Sequence, residues 1–267
     1  MSEHALRGHA TQPAARVRRG TWRRAAWRQY RLERRMFWRN PSAAFFNIAL
    51  PLLFLALFGA IFAGSDEDLD VIVPGIAGMS VMATTFSALA HNLVFLREQG
   101  ILKRIRGTPL PSSAYFAGIA GSAVFNAVTQ VAVITLVGRV VFGVAWPGEW
   151  LSLFVFLTLG VVCFAGLGVA LAHAIPNVES APAYVNAVFL PVIVISGVFY
   201  DADRAPAWLH DIGQALPLTH LIDGLSGAMV HHEGLADHVA GLLVLGGWAV
   251  AGVVLALRGF SWEARRS

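Results

Sequence analysis

Asn40-Pro41-Ser42-Ala43-Ala44-Phe45-Phe46-Asn47-Ile48-Ala49-Leu50-Pro51-Leu52-Leu53-Phe54-Leu55-Ala56-Leu57-Phe58-Gly59-Ala60-Ile61-Phe62-Ala63 contains no charged residue. Eleven arginines precede it, and Asp66, Glu67, Asp68 and Asp70 follow. Crossing a bilayer as helix takes roughly 20 apolar residues, and residues 43–63 supply them. Asn40-Pro41-Ser42 reads as a helix start, with proline in or near the first turn. Pro51 is tolerable inside such a helix when neighbouring helices pack around it. Outward from this block the pattern repeats, with further apolar runs at 71–96, 114–142, 150–173, 181–199 and 238–258. Over the whole chain 56% of residues are hydrophobic and 13% charged, about half the charge of a soluble domain. Stretches of ~10 residues with alternating polarity, the mark of a membrane β-barrel, are absent. The expected fold is an all-α integral membrane protein with six transmembrane helices. A basic arm over 1–40 precedes the six-span domain at 41–267.

Charge sets the orientation, because lysine and arginine resist translocation while acids contribute little. With the amino terminus inside, 18 of the 20 basic residues lie in the cytoplasm and only Arg139 and Arg204 outside. Eleven of the 16 acids fall outside. Both termini are then cytoplasmic, in a multi-pass protein of the cell (plasma) membrane. No secretory signal peptide precedes the first span, so that span is expected to direct insertion. The turn at 174–180 contains no Lys or Arg, and its side follows only from counting spans. The single cysteine, Cys163, lies within an apolar run and reads as a packing residue.

Three segments are more than lipid-facing helix. In the arm, Trp22, Ala26, Tyr30 and Phe37 can share one helical face among arginines, the composition of an interfacial helix on membrane lipid. After the second span comes Arg97-Glu98-Gln99-Gly100-Ile101-Leu102-Lys103-Arg104-Ile105-Arg106-Gly107-Thr108-Pro109-Leu110-Pro111. Ile101, Leu102 and Ile105 form a short apolar stripe, and Gly107 and Pro109 stop the helix. Such an amphipathic turn can dock in a groove of a soluble partner, or can serve only as a positive-inside anchor. The segment 201–237 is too long for a bare connector. Helical spacing at Leu218, Leu221, Ile222, Leu225 and Met229, after Pro217, predicts a re-entrant outer helical hairpin before the last span. Re-entry requires that protein bury the ends of the half-helices.

The order of these parts resembles the membrane subunit of an ABC exporter, the ABC-2 type transporter permeases that include the daunorubicin-resistance and nodulation-export groups. Phe95 to Leu110 is similar to that family's E-x-G-T-L-E-R-L-x-x-T-P pattern, with Ile101 and Lys103 where relatives often carry Thr and Glu. A second run resembles the family's signature near the fifth span and hairpin. It comprises Ser196-Gly197-Val198-Phe199-Tyr200, Ala205-Pro206-Ala207-Trp208-Leu209, Leu216-Pro217-Leu218-Thr219-His220 and Asp223-Gly224-Leu225. The resemblance implies a coupling loop at 97–111 that meets a cytoplasmic nucleotide-binding ATPase subunit through Glu98, Gly100, Leu102, Lys103, Arg104 and Arg106. It further implies a second permease copy in a homodimer, with export by alternating access. Phe199, Tyr200, Pro217 and Leu218 would form the outer gate.

Lys103 is the only lysine, and no glycine loop precedes it, so the chain has no Walker A site. ATP and Mg would belong to the partner, with no cofactor, metal site or catalytic residue in this chain. Candidate substrate-pathway residues are the polar side chains within spans: Thr84, Thr85, Ser87, His91 and Asn92, then Asn126, Thr129 and Gln130, then Asn186 and Ser196. Helix–helix hydrogen bonding is the competing role for each. The apolar route suits a lipophilic or amphiphilic substrate such as a drug, lipid or glycoconjugate. No nucleic-acid partner is expected. A secondary transporter or channel is the alternative class, although no internal repeat supports it. Gly224-Leu225-Ser226-Gly227 matches the G-x-S-G of intramembrane serine proteases, but the last span offers no histidine base beyond His238 at its edge. His231, His232 and Glu233 are adjacent and point to different faces, so they do not make a metal site.

Overall fold

The computed structural model describes residues 19–62, 65–106, 110–200 and 206–259. Those residues are mostly helical and contain no strand. The elements are α1 (Arg19–Arg39), α2 (Pro41–Ile61), α3 (Asp66–Met82), α4 (Ala88–Glu98), α5 (Ile101–Arg106), α6 (Ser112–Phe142) and α7 (Trp150–Ala174), followed by α8 (Ala181–Ile195), α9 (Ala207–Gln214), α10 (Pro217–Ser226) and α11 (Val239–Gly259). A π-helical turn, Ala83–Ser87, joins α3 to α4, and another, Gly227–His231, extends α10. Among the described residues, four helices are long and apolar enough to cross a membrane: Asp68–Glu98, Ser113–Phe142, Trp150–Ala174 and Val239–Arg258. Asn47–Ile61 and Ala181–Ile195 are apolar but shorter.

Contacts fix the helix directions. α2 runs with α6, since Gln130 Nε2 on α6 donates to the Asn47 carbonyl and Gly59 lies against the Phe142 ring. The ends of α4 and α7 meet through Arg97, whose guanidinium reaches the Ala172 and Ile175 carbonyls. α7 and α11 run together: the His238 ring meets Phe156 edge-on at 5.9 Å, and Gly166 lies against Gly252. Val198, just past α8, carries its carbonyl against Gly75 of α3. Consecutive long helices therefore alternate in direction. The basic end of the bundle holds the α4–α5 turn, the start of α6 and the α7–α8 turn. The far end holds the α6–α7 loop and the start of α11.

Two boundaries differ from the sequence reading for local reasons. The acidic cluster after the first span does not stay in a loop; it is the first turn of α3, and Ser65 Oγ caps it by accepting from the Asp68 amide at 3.3 Å. Carboxylates at a helix start are stabilised by the exposed N–H groups there. α8 stops at Ile195, short of the expected 199, and the Ser196 backbone caps it on Val192. Within the hairpin α9 begins at Ala207, while 201–205 lie outside the described residues.

The arm requires a correction. α1 does not turn the face of Trp22, Ala26 and Tyr30 to lipid; it lays that face lengthwise on α6. Trp22 Nε1 donates to Ser113 Oγ at 3.0 Å, the Ala26 carbonyl and Gln29 lie against Gly118, Tyr30 lies near Gly121, and Arg34 bonds Asn126. A Cβ on Gly118 would stand 2.5 Å from Gln29 Cβ, so only glycine admits α1 this closely. An apolar stripe reads alike whether protein or lipid covers it, which is why the partner was not legible in the arm alone. Trp27 and Trp38 are the aromatic side chains of α1 that remain exposed.

Candidate functional site

At the basic end, Gln99 and Gly100 end α4. Gly100 has φ +67°, a backbone that glycine adopts without strain, and it turns the chain directly into α5. Leu102 is buried among Leu89, Leu96, Tyr115 and Ile119, and this anchors the six-residue helix to the bundle. Lys103 and Arg104 point outward. The Arg106 side chain lies outside the described ones. Arg97, one residue before Glu98, is buried despite its charge. Its Nη1 donates to the Ala172 carbonyl at 2.9 Å, and its Nη2 donates to the carbonyls of Ile175 and Pro176. The last carbonyls of a helix lack intrahelical partners and carry the negative end of the helix dipole, so a guanidinium there satisfies and neutralises them together. Glu98 Oε2 accepts from the Val178 amide at 3.2 Å in the same turn. Two consecutive residues of α4 thus grip the α7–α8 connection.

The polar side chains of the second span gather around its π-helical turn. Thr84 donates to the Ser80 and Val81 carbonyls, Thr85 to Val81, and His91 Nδ1 to the Ser87 carbonyl at 2.7 Å. Ser87 Oγ is buried with no partner among the described residues, and Asn92 is half-buried. A π-turn misaligns the backbone ladder by one residue, and such turns often occur at functional positions. On α6 the polar side chains serve neighbouring helices. Asn126 Oδ1 accepts from Arg34 of α1, Gln130 bonds α2 as described, and Thr129 donates to the Phe125 carbonyl of its own helix. Asn186 is exposed on α8, whereas Ser196 is buried beyond the end of that helix. The structure therefore brings Thr84, Thr85, Ser87, His91 and Asn92 into one region and leaves Asn126, Gln130, Asn186 and Ser196 elsewhere.

Towards the far end, α9 and α10 form a helical pair, and α10 packs between the long helices. Leu218 and Ile222 lie against Gly78, twelve residues inside α3 and so about 18 Å from its start. Leu221 lies against Gly160, ten residues inside α7, about 15 Å from its start. Pro217 starts α10, which is buried along almost its whole length. The Gln214 carbonyl accepts from His220 Nε2 at 2.9 Å, and the Ala215 carbonyl accepts from Trp248 Nε1 of α11 at 3.0 Å. Nearby, Phe199 stacks on Phe58 with ring centroids 4.6 Å apart. The Tyr200 hydroxyl donates to the Val194 carbonyl at 2.8 Å.

Sequence comparison supplies the lineage of this arrangement. The profile of a family described as ABC-2 type transporter matches residues 24–230, from inside α1 to the second π-turn. This chain belongs to the ABC-2 type transporter family. As a family member, this permease is 30% identical over 210 residues to a protein of Cyanophora paradoxa designated transport permease ycf38, covering 74% of this chain and 71% of that one. It is 26% identical over 157 residues to YbhR of Escherichia coli strain K12, named as a multidrug ABC transporter permease, with 57% of this chain and 41% of that protein covered. LnrN of Bacillus subtilis strain 168, named as a linearmycin resistance permease protein, is 22% identical over 190 residues, 70% of this chain and 47% of the other. Family membership makes the permease the membrane subunit of an ABC transporter and a multi-pass membrane protein.

Three structurally important residues of the permease were not singled out from sequence. Arg97 carries a charge like its neighbours, and nothing in its spacing distinguishes a buried guanidinium from an exposed one. Trp248 reads as one more aromatic in an apolar run. Glu33 is a third: it is the carboxylate of α1, half-buried against α6, and burial raises its pKa while the Gln29 amide, donating to Oε1 at 2.8 Å, opposes that rise. At the far end Glu233 pairs with His238 Nε2 at 2.8 Å, and His231 and His232 are exposed. Among the described residues no group of three or more His, Cys, Asp and Glu could hold a metal.

Proposed function

We propose that the permease is the membrane half of an ATP-driven exporter. It moves a lipophilic or amphiphilic substrate (drug, lipid or glycoconjugate) out of the cytoplasm or inner leaflet. α5 is its coupling helix, Lys103 and Arg104 face a cytoplasmic nucleotide-binding subunit, and that subunit holds ATP and Mg. The observation that carries this reading is the grip of Arg97 and Glu98 on the α7–α8 turn. A push on α5 passes through Gly100 into α4 and, in the same motion, into α7 and α8. Three helices then move as one body, as alternating access demands. The π-turn at Ala83–Ser87 gives the α3–α4 rod a place to bend.

Six spans with both termini in the cytoplasm fit the alternating helix directions and the basic end described above. α2 and α8 complete the six as short spans, with α8 extended by residues 196–200. α9 and α10 act as the re-entrant cap at the outer end, with Phe199, Tyr200, Pro217 and Leu218 at the gate. The exposed face of α8, which includes Asn186, Leu190 and Val194, is the surface for a second permease copy. The setting is the plasma membrane. The test is a charge-reversed Lys103→Glu, Arg104→Glu permease reconstituted with its ATPase. Substrate-stimulated hydrolysis should fall to the basal rate while the complex still assembles into liposomes. Full stimulation in that variant would remove α5 from the coupling route.

A further inference from the structure

We propose that the groove between α6 and α7 at the far end is a binding site for one glycerophospholipid of that leaflet, with its phosphate on Arg139. The groove encloses about 330 Å³. Binding sites for small organic molecules begin near 300 Å³, so the space suits part of one acyl chain and the glycerol region. Its floor is carbon, from Val128 and Val131 on α6 and Leu157 on α7. Trp146 and Trp150 form its rim, with ring centroids 5.9 Å apart and each ring about half-exposed. Paired indoles of this kind mark the headgroup level of a bilayer.

The polar groups follow the order of the lipid itself. Thr135 lines the groove, is 7% exposed, and its hydroxyl has no hydrogen-bond partner among the described residues. Arg139 is four residues further along α6 on the same stripe, about one 5.4 Å turn nearer the rim. Its Nη1 donates to the Gly143 and Val144 carbonyls at 3.3 and 3.4 Å, which holds the guanidinium against the start of the α6–α7 loop that carries Trp146. From the rim inwards α6 therefore presents a cation, a hydroxyl donor and a hydrocarbon wall. A glycerophospholipid presents a phosphate, an ester carbonyl and an acyl chain in that order and at similar spacing. Glu149, next to Trp150, opposes a purely anionic headgroup, so the recognised feature is the phosphodiester common to zwitterionic and anionic phospholipids. The site is separate from the π-turn region and does not depend on which protein drives transport.

Native mass spectrometry of the full-length permease, purified in mild detergent from its membrane, tests the assignment. The wild type should retain one phospholipid per chain. Ala132→Trp, which fills the groove, should abolish that adduct, and Arg139→Gln should lower its occupancy several-fold. Val250→Trp, on the exposed surface of α11, should leave it unchanged. Unaltered melting temperatures establish that the variants fold. Retention of phospholipid by Ala132→Trp at the wild-type level would overturn the site. Equal retention of diacylglycerol and phospholipid by the wild type, unaffected by Arg139→Gln, would overturn the phosphate contact. Disulfide formation between two chains bearing Ala132→Cys would place a second permease copy in the groove and dismiss the lipid; the native Cys163 is buried and does not interfere.

Discussion

The two ends of the bundle face the same difficulty and answer it with different chemistry. At each end, a side chain from another helix bonds the carbonyls at a helix terminus. At the basic end a guanidinium from α4 caps α7; Arg97 brings a full charge and several donors to one helix terminus. At the far end, single ring donors cap α9; His220 and Trp248 each bring one ring N–H to one carbonyl. The surroundings differ as well. Arg97 is buried with its charge turned onto backbone carbonyls, whereas Gln214 and Ala215 at the end of α9 are exposed and each of their carbonyls takes a single ring N–H.

Replacing the cation gives the largest expected effect. Arg97→Met keeps the stem volume but leaves the Ala172 and Ile175 carbonyls unpaired, at about 1–3 kcal/mol for each. Both the melting temperature and the coupling of ATP hydrolysis to substrate should fall, with Arg97→Lys recovering part of each. Normal coupling in Arg97→Met would break the contrast, because the charged cap would then be mechanically idle. Next in size is Trp248→Phe, which removes one neutral donor from the Ala215 carbonyl, a loss of about 1 kcal/mol. Hydrogen exchange across 207–226 should quicken while ATPase coupling persists. If coupling fell as far as in Arg97→Met, the two ends would not be functionally distinct.

The smallest effect concerns pH. Burial raises the Glu33 pKa, so the folded arm binds its proton more tightly than the unfolded arm does. Docking of α1 on α6 is then best at low pH and weakens as pH rises from the unfolded value of about 4.5 through the raised one. Limited proteolysis of the arm should increase over that range in the wild type and stay level in Glu33→Gln. A pH-independent wild type would mean that the carboxylate finds a cation on docking.

Much of the architecture was legible because lipid imposes a simple code. Four of the long apolar runs became long apolar helices with ends within a few residues of expectation, and family membership followed from the loop after the second span and from the Pro217 region. What escaped was pairing. The face of Trp22, Ala26 and Tyr30 announced itself as apolar and interfacial, yet its cover is α6. Leu102 read as a contact for a partner, yet it is buried in the chain's own bundle, and Lys103 and Arg104 are left to project. Asn126 and Gln130 read as pathway residues, and they hydrogen-bond α1 and α2.

The turn between α7 and α8 shows where the division falls. Sequence alone determined the apolar lengths, the sign of each loop and the absence of a phosphate-binding lysine loop, because each depends on composition over a local window. It left residues 174–180 without a cation to hold them at the basic end. Tertiary structure supplied one from a different helix, Arg97, more than seventy residues away in the chain. Electrostatic and hydrogen-bond satisfaction act through space, so which charge serves which helix end was decided only when the helices packed.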